Sequence, residues 1–64
     1  MAITLKASRV NAGLTQKQVC EALNIGKNTL INYEKQRVVP NIEVAKKLAE
    51  LYNTSVEDIK WSKE

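Results

Sequence analysis

The chain has 64 residues, of which 44% are hydrophobic and 27% are charged, and its formal net charge is +3. A domain of this size buries only about 60% of the surface that its unfolded chain exposes, so its stability must come from a closely packed apolar core. Because the sequence has no histidine and one cysteine, it excludes a disulfide framework and a zinc site built from cysteine and histidine.

The first two helices are predicted from helical spacing and from residues that cap helix ends. The first should span about residues 3–11 and end before Gly13, which suits the left-handed cap position. Thr15 and Gln18 have the spacing of a capping box, in which each side chain satisfies a free backbone N–H of the second helix. Asn24 should end that helix, since asparagine tolerates positive φ better than most residues other than glycine.

A third helix is predicted to follow almost at once. Only residues 24–26 separate it from the second helix, and it should continue to about Lys35. Two helices joined by so short a turn must cross at a steep angle. Residues 15–35 are therefore predicted to form a helix-turn-helix.

Two more helices complete the predicted fold. Asn41 is a good N-cap for a fourth helix over about residues 42–52, and Ser55 with Asp58 suggests a capping box for a short fifth helix that reaches about Trp61. The face of the fourth helix predicted to be buried comprises Ile42, Ala45, Leu48, Ala49 and Tyr52. The sequence therefore predicts an all-α fold of five short helices in one domain, residues 1–64.

The third helix carries an unusual polar face. With Leu30 placed inward and about 100° between residues, three side chains point outward together: Asn28, Asn32 and Lys35. Asparagine is a mediocre helix former, so two of them one turn apart bring the helix no benefit. An α-helix fits the major groove of B-DNA, where asparagine can make two hydrogen bonds with adenine and an apolar group such as Ile31 can contact a thymine methyl. A solvated helix face would show the same residues.

Positive charge is concentrated in the part of the chain that contains this face. Residues 1–40 hold six basic and two acidic side chains, whereas residues 41–64 hold four basic and five acidic ones. A basic half indicates an anionic partner such as nucleic acid. A basic solvated surface is the alternative interpretation.

Other features argue against catalysis and against a membrane. The sequence has no histidine, no P-loop and no glycine-rich phosphate-binding loop, so we expect neither an enzyme nor a cofactor or metal. The first residues, MAITLKAS, lack the apolar run of a signal peptide, and no stretch approaches the ~20 apolar residues of a membrane span. With one free cysteine, these features predict a cytoplasmic location.

Several motifs together carry a family resemblance. These are GLTQ at 13–16, YE at 33–34, Pro40 and SVEDI at 55–59, with small or apolar residues between them: Val19, Cys20, Leu23, Ile25 and Leu30. From about Leu5 to Ile59 the sequence thereby resembles the phage-repressor/Cro-like (Xre-type, lambda-repressor-like) helix-turn-helix DNA-binding family. The resemblance implies a compact five-helix DNA-binding domain whose third helix enters the major groove.

The resemblance also implies roles for individual residues. Contacts with base edges are expected from Lys27, Asn28, Ile31 and Asn32. Contacts with the DNA backbone are expected from Gln16, Lys17, Thr29, Lys35 and Arg37, with Thr29 also within reach of bases. In the family, an arginine at the position of Arg9 pairs with a glutamate at the end of the third helix. Because Glu34 falls on the inward face, we predict a structural Arg9–Glu34 ion pair that docks the third helix on the first.

The function implied is a sequence-specific transcriptional regulator of a bacterium, phage or prophage. It would bind double-stranded DNA as a homodimer on a palindromic operator and act as a repressor. Trp61 could serve either the dimer contact or the closure of the core, while Tyr52 and Cys20 are expected to pack inside. The alternative is a protein-binding adaptor, such as an antitoxin-like or anti-repressor module, that would use Ile31 and the side of the fourth helix carrying Val44 and Leu51.

Overall fold

The computed structural model describes residues 2–62, and most of these residues are helical. The four α-helices are α1 (Leu5–Asn11), α2 (Gln16–Leu23), α3 (Lys27–Glu34) and α4 (Ile42–Leu51). A short 3-10 helix at Val56–Asp58 follows, and two strands, β1 (Ile3–Thr4) and β2 (Ile59–Lys60), pair in parallel. The all-α class predicted from the sequence is confirmed, since the described residues are mostly helical and contain one pair of two-residue strands. None of the helices in residues 2–62 combines the length and apolar character needed to cross a membrane.

The predicted fifth helix is wrong. After the 3-10 helix the chain is extended, and Ile59 of β2 pairs with Ile3 of β1. Ser55 Oγ donates a hydrogen bond to the Asp58 carboxylate at 2.9 Å rather than capping a helix. The first helix likewise begins two residues later than expected, because Thr4 is extended and caps α1 from outside. Isoleucine and threonine are β-branched and favour extended backbone once a partner strand is available.

The ends of the central helices follow the predicted local signals. The capping box is present, since Gln18 N donates to Thr15 Oγ1 at 3.1 Å and Thr15 N donates to Gln18 Oε1 at 2.8 Å. Asn24 ends α2 in the left-handed conformation with φ 54°. Asn41 caps α4 by accepting a hydrogen bond from Val44 N at 3.0 Å. Each of these bonds joins residues three positions apart, which is why the sequence reveals them.

The core lies where the helices and β2 meet. Its buried residues are Leu5, Val19, Leu30, Leu48, Ala49, Tyr52 and Ile59. Ile42 was expected among them and is 61% exposed. It is the first residue of α4, one turn before Ala45, and Val44 packs against the core instead. The inward face of α4 is therefore shorter at its start than the sequence predicts.

Trp61 closes one side of this core. The indole is half-buried against it, and Trp61 Nε1 donates a hydrogen bond to the Val56 carbonyl oxygen at 3.0 Å. Of the two roles considered for Trp61, core closure is therefore the one seen within the chain. A contact of Trp61 with a second copy stays a prediction.

The hydroxyl of Tyr52 is buried without a hydrogen-bond partner among the described residues. Tyr52 is 5% exposed, and burial raises its pKa above the ordinary value of 10.0, with the Glu34 carboxylate adding to the effect. The folded state therefore keeps a proton that the unfolded chain loses above about pH 10. The stability gained from the neutral phenol is complete below that pH and declines as the pH rises further.

Tyr52→Phe should remove both the unpartnered hydroxyl and this pH dependence. We expect equal or slightly higher stability at neutral pH, by up to about 1 kcal/mol, because no hydrogen bond is lost. Urea unfolding at a series of pH values between about 8 and 11 should show a weaker alkaline loss of stability than in the wild-type chain. Tyr33→Phe, at a half-buried tyrosine, controls for loss of a phenol. Identical alkaline slopes in Tyr52→Phe and the wild-type chain would contradict the argument.

Candidate nucleic-acid interface

Helix α3 is exposed in its first turn. Leu30 is 0% exposed and fixes one side of the helix against the core. The three residues before it, Lys27, Asn28 and Thr29, are all exposed. Asn28 lies about 160° around the helix from the buried Leu30 and therefore points to the surface, whereas Lys27 is exposed at the first position of the helix. The first turn of α3 thus presents an ammonium, an amide and a hydroxyl to solvent.

The second turn of α3 is only half-exposed. Ile31 and Asn32 have intermediate burial, and neither belongs to the core. Asn28 and Asn32 lie four positions apart, so their side chains project from the same side of the helix. The two amides that the sequence places on one face therefore share that face in the structure, with Asn32 the more enclosed of the two.

Two predicted backbone-contact residues lie just beyond α3. Lys35 and Arg37 are exposed on either side of Gln36, which adopts a positive φ of 60°. Arg37 N donates to the Asn32 carbonyl oxygen at 3.0 Å, which closes the end of the helix. Glycine is the usual residue for such a left-handed cap. In this chain Gln36 occupies that position, and its side-chain Nε2 donates to the carbonyl oxygens of Lys60 and Ser62, at 3.3 and 3.4 Å.

An open cleft lies at the start of α2. Its lining includes Gln16 and Lys17, both predicted to contact the DNA backbone, and Lys27, predicted to contact bases. The half-buried Cys20 also lines this cleft. The structure therefore brings residues from α2 and from the start of α3 to one surface, although the sequence separates them by about ten positions.

The predicted pair of Arg9 and Glu34 is present beneath this surface. Arg9 Nε donates to Glu34 Oε2 at 2.6 Å, and the two side chains are 11% and 4% exposed. Arg9 Nη1 also donates to the Leu14 carbonyl oxygen at 2.8 Å. The guanidinium thus joins α1, the turn before α2 and the last residue of α3, where a buried carboxylate needs a charged partner.

Gln16 has a contact that the sequence analysis missed. Its Nε2 donates to Glu34 Oε1 at 3.0 Å, so both carboxylate oxygens of Glu34 are hydrogen-bonded within the chain. The inward position of Glu34 indicates that a second donor is needed, because a buried carboxylate needs hydrogen-bond donors for both oxygens. The role predicted for Gln16 is a contact with the DNA backbone, and sequence spacing alone does not show that α2 and the end of α3 approach each other there.

Three known proteins are similar to this chain in sequence. The HTH-type transcriptional regulator ImmR of Bacillus subtilis is 47% identical over 53 residues, which cover 83% of this chain and 42% of that protein. The cryptic phage CTXphi transcriptional repressor RstR of Vibrio cholerae is 35% identical over 51 residues, covering 80% and 46% of the two chains. The uncharacterized HTH-type transcriptional regulator MJ0272 of Methanocaldococcus jannaschii is 33% identical over 55 residues, covering 86% and 83%.

The chain spans less than half the length of ImmR and of RstR. No solved structure matches it significantly. The sequence profile described as helix-turn-helix matches residues 5–59, a range that contains α1 to α4 and the short turn between α2 and α3. The matched range contains the motifs at 13–16, 33–34 and 55–59. This chain therefore belongs to the phage-repressor-like (Xre-type) helix-turn-helix family.

Proposed function

We propose that this chain binds double-stranded DNA with sequence specificity and acts as a transcriptional regulator. The observation that carries the proposal is the outward face of α3, where Asn28 and Asn32 lie outside the core while Leu30 is fully buried. An α-helix fits the major groove, and asparagine recognises adenine through its N6 and N7 atoms. ImmR and RstR, which share this sequence region, are named as a transcriptional regulator and a transcriptional repressor.

The residues divide into base readers and backbone contacts. Base edges would be read by Lys27, Asn28, Ile31 and Asn32. The backbone would be contacted by Gln16, Lys17, Thr29, Lys35 and Arg37. The cleft at the start of α2 lies beside the first turn of α3, and Lys35 and Arg37 follow its last turn. Backbone contacts at both ends of the helix would fix its register, while the amides between them would supply sequence choice.

We further infer that the chain acts as a dimer on a palindromic operator and represses by excluding polymerase. Two reading helices on one face of the duplex require half-sites about one helical turn apart, roughly 10 bp. The name of RstR as a phage repressor supports this direction of regulation. Each copy would contribute one α3 helix to one half-site.

A selection of bound sequences from random duplexes tests the proposal. We expect enrichment of a site with two-fold symmetry, because two identical helices read equivalent base pairs. Binding to the selected site should exceed binding to a scrambled duplex at ~150 mM salt by at least about 1,000-fold. Enrichment of no sequence, together with weak and salt-sensitive binding to every duplex, would overturn it.

The same measurement separates DNA reading from the protein-binding adaptor. An adaptor needs exposed apolar side chains, and Val44 and Leu51, which were considered for that role, are half-buried against the core. Within residues 2–62, the exposed large apolar residues are Val10, Val38, Val39 and Ile42. An adaptor would bind DNA weakly and without sequence preference, whereas a DNA reader would bind its selected site at physiological salt.

Lys35→Ala should weaken binding to all duplexes alike. Lys35 is exposed just after α3, and a lysine that contacts phosphate releases a counterion on binding. The slope of log K against log salt should therefore become shallower by about 1, with no change in the preferred sequence. Titrations at several salt concentrations measure this slope. Lys46→Ala removes the same charge from the exposed side of α4 and serves as the matched control. An unchanged slope in Lys35→Ala would remove Lys35 from the backbone contacts.

A further inference from the structure

We propose that Glu34 is a positioning residue of the DNA interface, because its carboxylate fixes the orientation of the Gln16 amide. The inference rests on the proposed function, since the orientation of Gln16 matters only if Gln16 contacts a phosphate. The Arg9–Glu34 pair alone would be structural. The hydrogen bond from Gln16 connects that buried pair to a residue that lines the open cleft of the interface.

The chemistry of a carboxylate allows only one orientation of the amide. An ionised carboxylate accepts hydrogen bonds and donates none, so the Gln16 atom 3.0 Å from Glu34 Oε1 must be the amide nitrogen. One of its two hydrogens points to Glu34, and the planar amide directs the second about 120° away. A glutamine without such a partner can turn its amide over, and only the amide nitrogen can donate a hydrogen bond to a phosphate. In this chain the hydrogen bond to Glu34 holds the Gln16 amide nitrogen in place and so fixes the orientation of the whole amide.

Arg9 neutralises the negative charge that Glu34 places beside the proposed phosphate contact. An unpaired negative charge next to a phosphate contact would repel DNA. Arg9 Nε lies 2.6 Å from Glu34 Oε2, so the pair carries no net charge beneath Gln16. Because both charged side chains are almost fully buried, the anchor is also rigid, and Gln16 has less freedom to lose when it binds DNA.

The position of Glu34 in the fold links two kinds of DNA contact. Glu34 is the last residue of α3, and Gln16 is the first residue of α2. The hydrogen bond therefore ties the backbone contact of α2 to the helix that reads bases. A movement of α3 in the groove would shift the Gln16 amide with it, so that the phosphate contact is best made when α3 is in register.

A double-mutant cycle on the full chain tests the inference. Affinity for the selected duplex is measured for wild type, Gln16→Ala, Glu34→Gln and the double variant. Gln16→Ala should lower the affinity of the wild-type chain about tenfold, as expected for a hydrogen bond to a charged group. In Glu34→Gln, the amide at position 34 must accept from Arg9 with its oxygen and donate to Gln16, so the Gln16 amide must turn over. Gln16→Ala should then reduce affinity by less than about threefold in this background.

A purely structural role of Glu34 predicts a different result. Glu34→Gln would lower stability, but Gln16→Ala would weaken DNA binding by the same factor in both backgrounds, within about twofold. Such additivity would overturn the inference. Because Glu34→Gln leaves the buried Arg9 without a carboxylate and can fail to fold, Glu34→Asp provides a second background. It keeps the charge but withdraws the carboxylate from Gln16 by one methylene, and the same loss of coupling is expected.

A measurement without DNA keeps this inference distinct from the proposed function. In NMR spectra of the free chain, one side-chain amide hydrogen of Gln16 should exchange with water more slowly than those of Gln18, which is exposed on the same helix. Equal exchange at both glutamines would overturn the inference even if DNA binds. If the wild-type chain binds no duplex, the proposed function fails, and with it the role of Glu34 in DNA binding, whatever the exchange rates show.

Discussion

Arg9→Met should lower the free energy of unfolding by about 3–5 kcal/mol, because it leaves the carboxylate of Glu34 buried without its charged partner. Glu34 is 4% exposed, so water cannot take the place of the guanidinium without opening the structure. Methionine keeps much of the aliphatic volume of arginine, which limits the loss of packing. A chain of this length has a total stability of roughly 3–10 kcal/mol, so the variant should be close to unfolded.

Urea denaturation followed by circular dichroism measures this effect. Arg37→Met removes an exposed arginine and should change stability by less than about 0.5 kcal/mol. Arg9→Met combined with Glu34→Gln removes both charges and should recover part of the loss, since no ionised group is then buried alone. A loss below about 1 kcal/mol in Arg9→Met would show that the ion pair does not hold α3 on α1.

Asn32→Ala should reduce affinity for the selected operator by about 1–3 kcal/mol, which is roughly 5–150-fold. Asparagine that bonds both N6 and N7 of adenine loses both bonds on truncation, whereas alanine favours the helix and leaves α3 intact. Asn32 is half-buried at the second turn of α3, so its amide can adopt few orientations, and little water can take its place after truncation. Binding to unrelated duplexes should be nearly unchanged, because phosphate contacts supply that affinity.

Competition between the operator and a scrambled duplex at fixed salt measures both affinities at once. Asn11→Ala removes an exposed asparagine from the end of α1 and should leave both unchanged. Equal losses on the two duplexes would mean that Asn32 does not read bases. A loss restricted to the operator would show that Asn32 reads bases. The base pair that it recognises is then the one whose substitution in the duplex removes the difference between Asn32→Ala and wild type.

The elements of this fold that depend on neighbouring residues were predictable from sequence. Thr15, Gln18, Asn24 and Asn41 act within one turn of the helix they start or end, and the structure confirms each of them. The inward position of Leu30 follows from helical period alone and fixes which face of α3 reaches solvent. The helix-turn-helix arrangement of α2 and α3 follows from the shortness of the turn between them.

The errors arise where distant parts of the chain meet. Residues 59–60 become a strand because residues 3–4 offer a partner, and two residues are too few to show a strand period. Ile42 has the spacing of a core residue, but nothing covers the start of α4 at that point within the described residues, so it stays exposed. In the candidate site, the outward amides were predictable from helical geometry, whereas the bond between Gln16 and Glu34 depends on how α2 crosses α3.

The pairing of β1 with β2 has a consequence for the order of folding. Ile3 and Ile59 lie far apart in the sequence, so their contact closes a long loop that includes all four α-helices. Loop closure of this kind loses more chain entropy than the local contacts of α2 with α3, and it becomes favourable only after the helices have packed. The strand pair should therefore assemble last and open first, and backbone amides of β2 should exchange with deuterium sooner than those of α3.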